Sequence, residues 1–449
     1  MHKVYVVHCV DAEGPLYESL DATFQRIEAM SGIKLRPSME NLKKIQRKEL
    51  GLNGYENALA MAFSERIMAY NKDWSHLDAM LDRITSDDFR KAHSDSNGKG
   101  WRFTWFIMDH VNYEDNPRNK ITGYNAIWDH YMEYCKNHRI NGDEFQWHVH
   151  PANAYHAGDH CGASYWNSAH ELQSLCRRLI DRGFFPNAFR AGYHTERPDS
   201  HWLLEQYIPY DFSNQAIEAG EHENRQTDLA EGRFGDWRRA RSDWGWYHPS
   251  HDDYQSEGGC HRSIFRCLNV GTRLRLITQE EVDKAFERAA NGEDTVLAFC
   301  DHDFREMKYD IDEVYSFIKE ASRKRPNVKW LNSTAAWAAK SVMRETAEKI
   351  TLDVHCARTA NGRVKLDILT NIESFGAQPF FAIKMKGGRY RAEQLDVQIP
   401  NRKWSYVFDD DTVRAEDVVS VGLATNSRKG SGALFVQTLD NEIIHAKEW

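Results

Sequence analysis

The chain has 449 residues, too many for one ordinary hydrophobic core, so a large domain with a smaller companion is expected. A formal net charge of -9 excludes the basic face that nucleic acid or an anionic membrane would need, and no run of 18 or more apolar residues is present to span a bilayer. The eight cysteines, at 9, 135, 161, 176, 260, 267, 300 and 356, form no CxxC pair and no dense framework, as reduced thiols in a reducing compartment would be, and none is read as a zinc ligand. The chain enters an apolar strand at once, without a basic leader or cleavage region, so a cytoplasmic protein is predicted. An aromatic share of 12% suits stacking on sugar rings as well as ordinary core packing.

Residues 4–10 (VYVVHCV) are a β-branched apolar run of buried-strand length, followed directly by DAEGP. Asp11 and Glu13 point the same way while the chain stays extended; Gly14-Pro15 then ends the strand and leaves two carboxylates at its C-terminal end. Residues 16–100 read as a long helical insertion, with Trp74, Leu77, Leu81 and Ile84 on one helix face behind Asp73 as N-cap. Following the first strand, the insertion is expected over the same rim, as a lid or as a contact within a homo-oligomer. Residues 101–110 predict a strand and 124–138 a helix.

Residues 145–151 (FQWHVHP) alternate as a strand does, with Phe145, Trp147 and Val149 on one face and Gln146, His148 and His150 on the other. Pro151 cannot donate to a ladder, so the strand is expected to end there, with two imidazoles side by side at its C-terminal rim. That rim is where parallel α/β sheets and barrels carry their chemistry, and the pair is a candidate metal site. An amphipathic helix follows, through Leu172, Leu175, Cys176, Leu179 and Ile180, stopping near Gly183.

Residues 188–193 (AFRAGY) predict a strand whose Arg190, set among small residues, requires an anionic partner. Residues 215–260 form a long Gly-rich excursion carrying Trp237, Trp244, Trp246 and Tyr247, read as a substrate-contacting loop. Thr278 and Glu281 predict a capping box for a helix whose Val282, Ala285, Phe286 and Ala289 face inward. Residues 295–300 predict a buried strand ending in Asp301-His302-Asp303, and residues 328–333 a last strand before an alanine-rich helix. Strands alternating with helices over residues 1–345 argue for parallel βα units closing into a barrel. From about residue 346 the texture changes: Ile350, Leu352, Val354 and Cys356 alternate, Asn361-Gly362 turns a hairpin, and Val364, Leu366 and Ile368 alternate back. Residues 346–449 are therefore expected to form an all-β sandwich-like domain, either an accessory packing unit or a glycan-binding module.

DAEG, HVHP, FRAG, YDFS and the late DHD occur in the order found in the polysaccharide deacetylase family, the NodB-homology or family 4 carbohydrate esterases, which residues 1–345 resemble between their insertions. The resemblance implies a distorted (β/α) barrel holding one divalent ion, usually zinc. It implies Asp11 as catalytic base, Glu13 with His148 and His150 as metal ligands, Arg190 as the tether of Asp11, His302 as acid, and Asp211 lining the substrate cleft. The common first motif has two adjacent aspartates and the common histidine spacing is wider. Divergent members carry an acid, a spacer and a second acid with an HxHP motif, which leaves open whether Asp11 or Glu13 is the ligand. A more particular likeness is to deacetylase-like proteins of bacterial O-antigen and surface-glycan biosynthesis.

A divalent ion with three protein ligands activates water near neutral pH and stabilises an oxyanion, so the same residues can cleave an acetamide. Asp11 takes the water proton, and His302, between Asp301 and Asp303, is expected to stay protonated for the departing amine. On a strictly extended strand His302 would face away from both aspartates, so either the chain bends or an aspartate is the acid. Two other readings are a glycoside hydrolase using Asp11 with Asp301 or Asp303, and a catalytically silent glycan-binding protein.

Overall fold

The computed structural model describes residues 2–150, 169–194, 196–218, 237–272, 274–344 and 348–449. Pro151, Cys161 and residues 219–236 of the predicted substrate loop lie outside these. Eight parallel strands build the first unit: β1 Lys3–Ala12, β2 Thr104–Ile107, β3 Glu144–Val149, β4 Ala188–Ala191, β5 Tyr210–Asn214, β6 Ser263–Asn269, β7 Thr295–His302 and β8 Lys329–Ser333. They run in the order β2-β3-β4-β5-β6-β7-β1-β8, and β1 also pairs with β2, closing a seven-strand barrel. One edge of β1 is shared by two neighbours: residues 3–7 pair with β8, and residues 9–12 with β2.

The helices are α1 Leu20–Ser31, α2 Met39–Gln46, α3 Glu56–Ala62, α4 Trp74–Thr85, α5 Asp87–Ala92, α6 Ala126–His138, α7 Ala169–Arg182, α8 Pro198–Tyr207, α9 Gln279–Ala290, α10 Lys308–Lys324 and α11 Ala335–Met343. Local chemistry sets their ends. Asp73 accepts the His76 N–H at 3.0 Å and starts α4, and Gly183, at φ 57, follows the end of α7. The capping box expected for α9 is only half formed. Thr278 accepts the Glu281 N–H, but the Glu281 carboxylate is drawn to the Arg266 guanidinium 2.5 Å away, a charged partner that outcompetes a backbone N–H. The strand expected over residues 101–110 shortens to β2, although the Phe103 carbonyl still accepts from the Glu144 N–H at 3.0 Å and Trp101 and Phe103 join the core with residues of α4 and α6.

The period of two along each strand sorts the side chains. On β1, Val4, Val6, Val10 and Ala12 pack outward against helices, whereas Tyr5, Val7 and Cys9 join Phe106, Phe212, Phe265, Cys267, Ala298 and Cys300 inside the barrel. Ala335, Ala336, Ala338 and Ala339 of α11 close the interior at the end away from the strand C-termini, their small side chains allowing a close fit. Asp11, His148, Arg190 and His302 share the parity of the interior residues. Asp211 and Asp301 do not.

Residues 352–448 form two antiparallel sheets, β13-β14-β10-β9 and β12-β11-β15-β16-β17. The strands are β9 Leu352–Arg358, β10 Val364–Thr370, β11 Phe380–Met385, β12 Tyr390–Glu393, β13 Asp396–Ile399, β14 Lys403–Phe408, β15 Val418–Asn426, β16 Gly432–Gln437 and β17 Ile443–Glu448. They face each other over a core of Val354, Leu366, Ile368, Phe381, Ile383, Trp404, Tyr406 and Leu423. The second sheet packs on α7, where Leu175, Leu179 and Ile180 meet Phe380, Ala424 and Val436. The fold is thus a (β/α) barrel joined to a β-sandwich. Among the described residues no helix is long and apolar enough to cross a membrane.

Candidate metal and hydrolytic site

The C-terminal ends of β1, β3, β4, β6 and β7 surround a cavity of 180 Å³ lined by Asp11, Glu13, His150, Asn269 and His302 together with Arg118, Lys120, Tyr193, Thr272, Leu274 and Phe304. Arg190, fully buried inside the barrel, clasps Asp11 from below, with Nε 2.6 Å from Oδ1 and Nη2 3.1 Å from Oδ2. Burial alone would raise the Asp11 carboxyl, but the Arg190 guanidinium holds it well below the usual carboxylate range, so Asp11 is an anion at neutral pH. The Asp11 charge in turn raises Arg190 further against the opposing effect of burial.

Beside this pair lies a set of three ligand-type groups: Glu13, His148 and His150 bring one donor atom each within 4.8 Å of one another. His148 donates Nδ1–H to the Arg190 carbonyl at 2.8 Å, which fixes the tautomer and leaves a lone pair on Nε2. That Nε2 faces His150 Nε2 at 3.1 Å, and His150 Nε2 is 3.4 Å from Glu13 Oε1. Burial lowers the His148 imidazole to about 4, so it is neutral. Glu13, which burial alone would raise, is held well below its ordinary value by Lys120 and His150 and is ionised. A carboxylate and two imidazoles with a donor atom each within 4.8 Å of the others, Glu13 ionised and His148 neutral, are the donor types a divalent cation takes, and the set fits one.

Two other groupings fit less well. Asp11, Cys300 and His302 also approach within 4.8 Å, but both Asp11 oxygens already accept from Arg190 and the Cys300 thiol is raised far above its ordinary pKa by burial. His201, Glu205 and Cys260 lie behind β6, where His201 Nδ1 accepts from Arg262 at 2.7 Å and Nε2–H donates to the Ser250 carbonyl at 2.8 Å. Neither ring nitrogen has a lone pair left for a cation.

His302 enters the cavity with Nε2 3.7 Å from Asp11 Oδ2, without the two flanking aspartates expected of it. Asp303 bends back and accepts from the Glu13 N–H (2.8 Å), the Gly14 N–H (3.0 Å) and the Tyr131 hydroxyl (2.8 Å), which makes it the clamp of the turn carrying Glu13. Asp301 faces out of the barrel, its Oδ1 accepting the His302 N–H at 2.7 Å. Burial, the larger effect, lowers His302 to about 3 despite the nearby Asp11, so the imidazole is neutral rather than protonated as the sequence suggests. A motif read as a string of neighbours misleads here because adjacent strand residues face opposite ways.

The residues expected to meet substrate lie elsewhere. Asp211, one step from the inward Phe212, faces outward to a buried ion pair with Arg262, which also binds Glu196 at 2.7 Å. Trp244 donates Nε1–H to the Glu281 carbonyl at 2.8 Å under Arg266, Tyr247 donates to the Tyr254 carbonyl at 2.7 Å, and Trp246 packs edge-on to His248; none lines the cavity. Tyr247 belongs with Trp237 and Tyr254 to the apolar centre of the excursion, whereas Trp244 joins the core outside the barrel and Trp246 packs against the interior cluster.

Several wall residues carry no motif. Lys120 sits in the loop after β2 and binds Glu13 Oε2 at 2.9 Å, while His110 donates Nε2–H to the Glu13 carbonyl at 2.9 Å. Tyr193, in the left-handed region at φ 51, lays its ring 4.5 Å from that of His150. Gly192 before it admits this contact, since a side chain there would collide with the His150 ring and the Val149 carbonyl. A left-handed non-glycine residue beside FRAG is the one feature here that a motif reading could have queried.

No family model matches the chain, and no curated protein matches it. Among solved structures, a protein from Parabacteroides distasonis provisionally named a glycoside hydrolase/deacetylase aligns with 100% of this chain and 85% of its own, at 9% identity and a TM-score of 0.37.

Proposed function

We propose that the chain is a metal-dependent hydrolase that removes an N-acetyl or related acyl group from an amino sugar of a bacterial glycan or its cytoplasmic precursor, as a divergent member of the polysaccharide deacetylase family. The observation that carries this reading is the convergence of the ionised Glu13 carboxylate, the neutral His148 imidazole and the His150 ring beside the Arg190-clasped Asp11. Glu13, His148 and His150 would hold the ion, and a carboxylate with two imidazoles suits zinc. Bound there, such an ion supplies Lewis acidity toward a carbonyl and toward water.

Asp11 then acts as base: Arg190 keeps it ionised and aims it, and it accepts the proton of the attacking water. As the carbon–nitrogen bond breaks, the departing nitrogen needs a proton. His302, neutral and 3.7 Å from Asp11, is placed to carry onward the proton that Asp11 has taken. Asp11 as base and Glu13 as ligand is the order of roles we propose, and it is supported by both Asp11 oxygens being engaged by Arg190 while Glu13 Oε1 faces His150. Against a two-carboxylate glycoside hydrolase stands the placing of its second acid: Asp301 faces out of the barrel and Asp303 clamps a turn. The test is metal analysis of the purified protein together with acetate release from a panel of nucleotide-linked and free acetamido sugars. A stoichiometric divalent ion and acetate release that a chelator abolishes are expected; a metal-loaded protein inert toward every acetamide would end the proposal.

A further inference from the structure

The hydrolytic cavity does not stop at His302. A second cavity of 180 Å³ adjoins it, sharing Arg118, Thr272, His302 and Phe304, and extends beneath the helical insertion to Arg26, Tyr70 and Arg305. Its described lining contains three guanidinium groups and no acidic residue. Behind the wall, Glu18 accepts two hydrogen bonds from Arg26, at 2.9 and 2.8 Å, and stands 3.6 Å from Arg118. One carboxylate therefore serves two guanidiniums. Arg305 has Asp301 3.9 Å away, but burial and neighbouring Asp310 push that carboxyl well above its ordinary range, so it offers little negative charge.

Two of the guanidiniums are also short of acceptors. Arg305 donates through Nη1 to the Gly271 carbonyl but keeps a buried Nε with no acceptor, and the buried Nε of Arg118 has only Glu18 Oε1, 3.6 Å away and beyond hydrogen-bond reach, an expensive condition for a cationic donor unless a ligand supplies an acceptor. They are held in place nonetheless. Phe304 lies between them, 5.9 Å from the Arg118 carbon and 5.4 Å from that of Arg305, and the Tyr70 hydroxyl accepts from Arg118 at 3.1 Å. Planar guanidinium forks fixed by stacking are the protein's usual device for recognising carboxylate or phosphate.

We propose that this compartment is an oxyanion subsite, taking the phosphate or carboxylate substituent of an acylated amino sugar whose acyl group lies at Glu13, His148 and His150. The inference rests on the hydrolase reading for the rest of the ligand. It makes the insertion a specificity element, since Arg26 lies on α1 and Tyr70 before α4.

Binding can be measured without turnover. Inorganic phosphate and D-glucuronate are titrated calorimetrically into chelator-treated wild-type protein and into Arg118→Gln and Arg26→Gln. Saturable binding of at least one anion is expected, weakened about tenfold or more in each variant, because a charge-assisted bond is lost. Preference for phosphate indicates a phosphorylated sugar, and preference for glucuronate an acidic one. Equal affinity in all three proteins, or no saturable binding of either anion, would overturn the subsite. Circular dichroism checks folding, and Arg26→Gln, on α1 of the insertion, carries the test if Arg118→Gln does not fold. Arginine-dependent anion binding without any acetamide hydrolysis would keep the subsite and remove the deacetylase; hydrolysis without anion binding would remove the subsite alone.

Discussion

Replacing Arg190 separates the charge it carries from the shape that carries it. The buried guanidinium makes two bonds to Asp11, at 2.6 and 3.1 Å, and donates through Nη1 to the Phe212 carbonyl at 3.0 Å. Arg190→Lys keeps a positive charge but loses one Asp11 bond and the carbonyl bond, about 3–6 kcal/mol at the usual value of two hydrogen bonds to a charged group. Arg190→Met strands an unpaired carboxylate inside the barrel, which costs about 3–5 kcal/mol before its own lost bonds are counted. The pH dependence separates the two further. In the wild type the Asp11 pKa is depressed, so its ionisation stabilises the fold above the unfolded value and that stability is lost only in acid. Without a cation the pKa rises instead, and stability falls as pH climbs through it. The gap between wild type and Arg190→Met should therefore widen from pH 4 to pH 8, while that for Arg190→Lys changes little. Urea unfolding at both pH values measures it. Coincident Lys and Met midpoints, or a gap indifferent to pH, would refute the electrostatic account. In the metal-loaded enzyme Arg190→Lys is expected to lose roughly 100-fold in hydrolysis, since a base displaced by about 1 Å costs that much.

His148→Ala with His150→Ala should abolish stoichiometric uptake of one zinc-like ion while leaving the fold intact, and equal uptake by variant and wild type would remove the metal site. His302→Ala should retain metal but lose acetamide hydrolysis by roughly 100-fold, and proportionally less on an activated aryl acetate whose leaving group needs no proton; equal losses on both would make His302 structural. His8, stacked 4.5 Å from Phe299 outside the site, is lowered by burial to about 3. Below the unfolded value near 6.5 the unfolded chain binds a proton that the native one does not, so stability drops by about 1.4 kcal/mol per pH unit, and His8→Phe should flatten the acid limb by that slope. An unchanged limb would show that His8 is not buried neutral.

How much of this was legible in the sequence depends on how local the information was. Strand parity put Asp11 with Glu13, and His148 with His150, on shared faces, because a period of two needs only consecutive residues to read, and Gly14-Pro15 and Pro151 marked the rim. Asp73 as a cap and Asn361-Gly362 as a hairpin turn were equally local. The same alternation sets His302 against Asp301, as the sequence shows, and applied to YDFS it turns Asp211 away from the site, whereas the family resemblance places it in the cleft. What only the tertiary structure decided is whatever depends on an element far along the chain. The aromatics of residues 237–254 could line a cleft or fill a core, and it is packing partners far along the chain that decide: Trp237, Tyr247 and Tyr254 pack with Ile264, Trp244 joins the core outside the barrel, and Trp246 packs against the interior cluster. Lys120 and Arg118 reach the site from a loop with no periodicity. The protonation of His302 was beyond sequence altogether, since it follows from how deeply the closed barrel and the insertion bury the ring, and burial is a property of the assembled fold rather than of neighbouring residues.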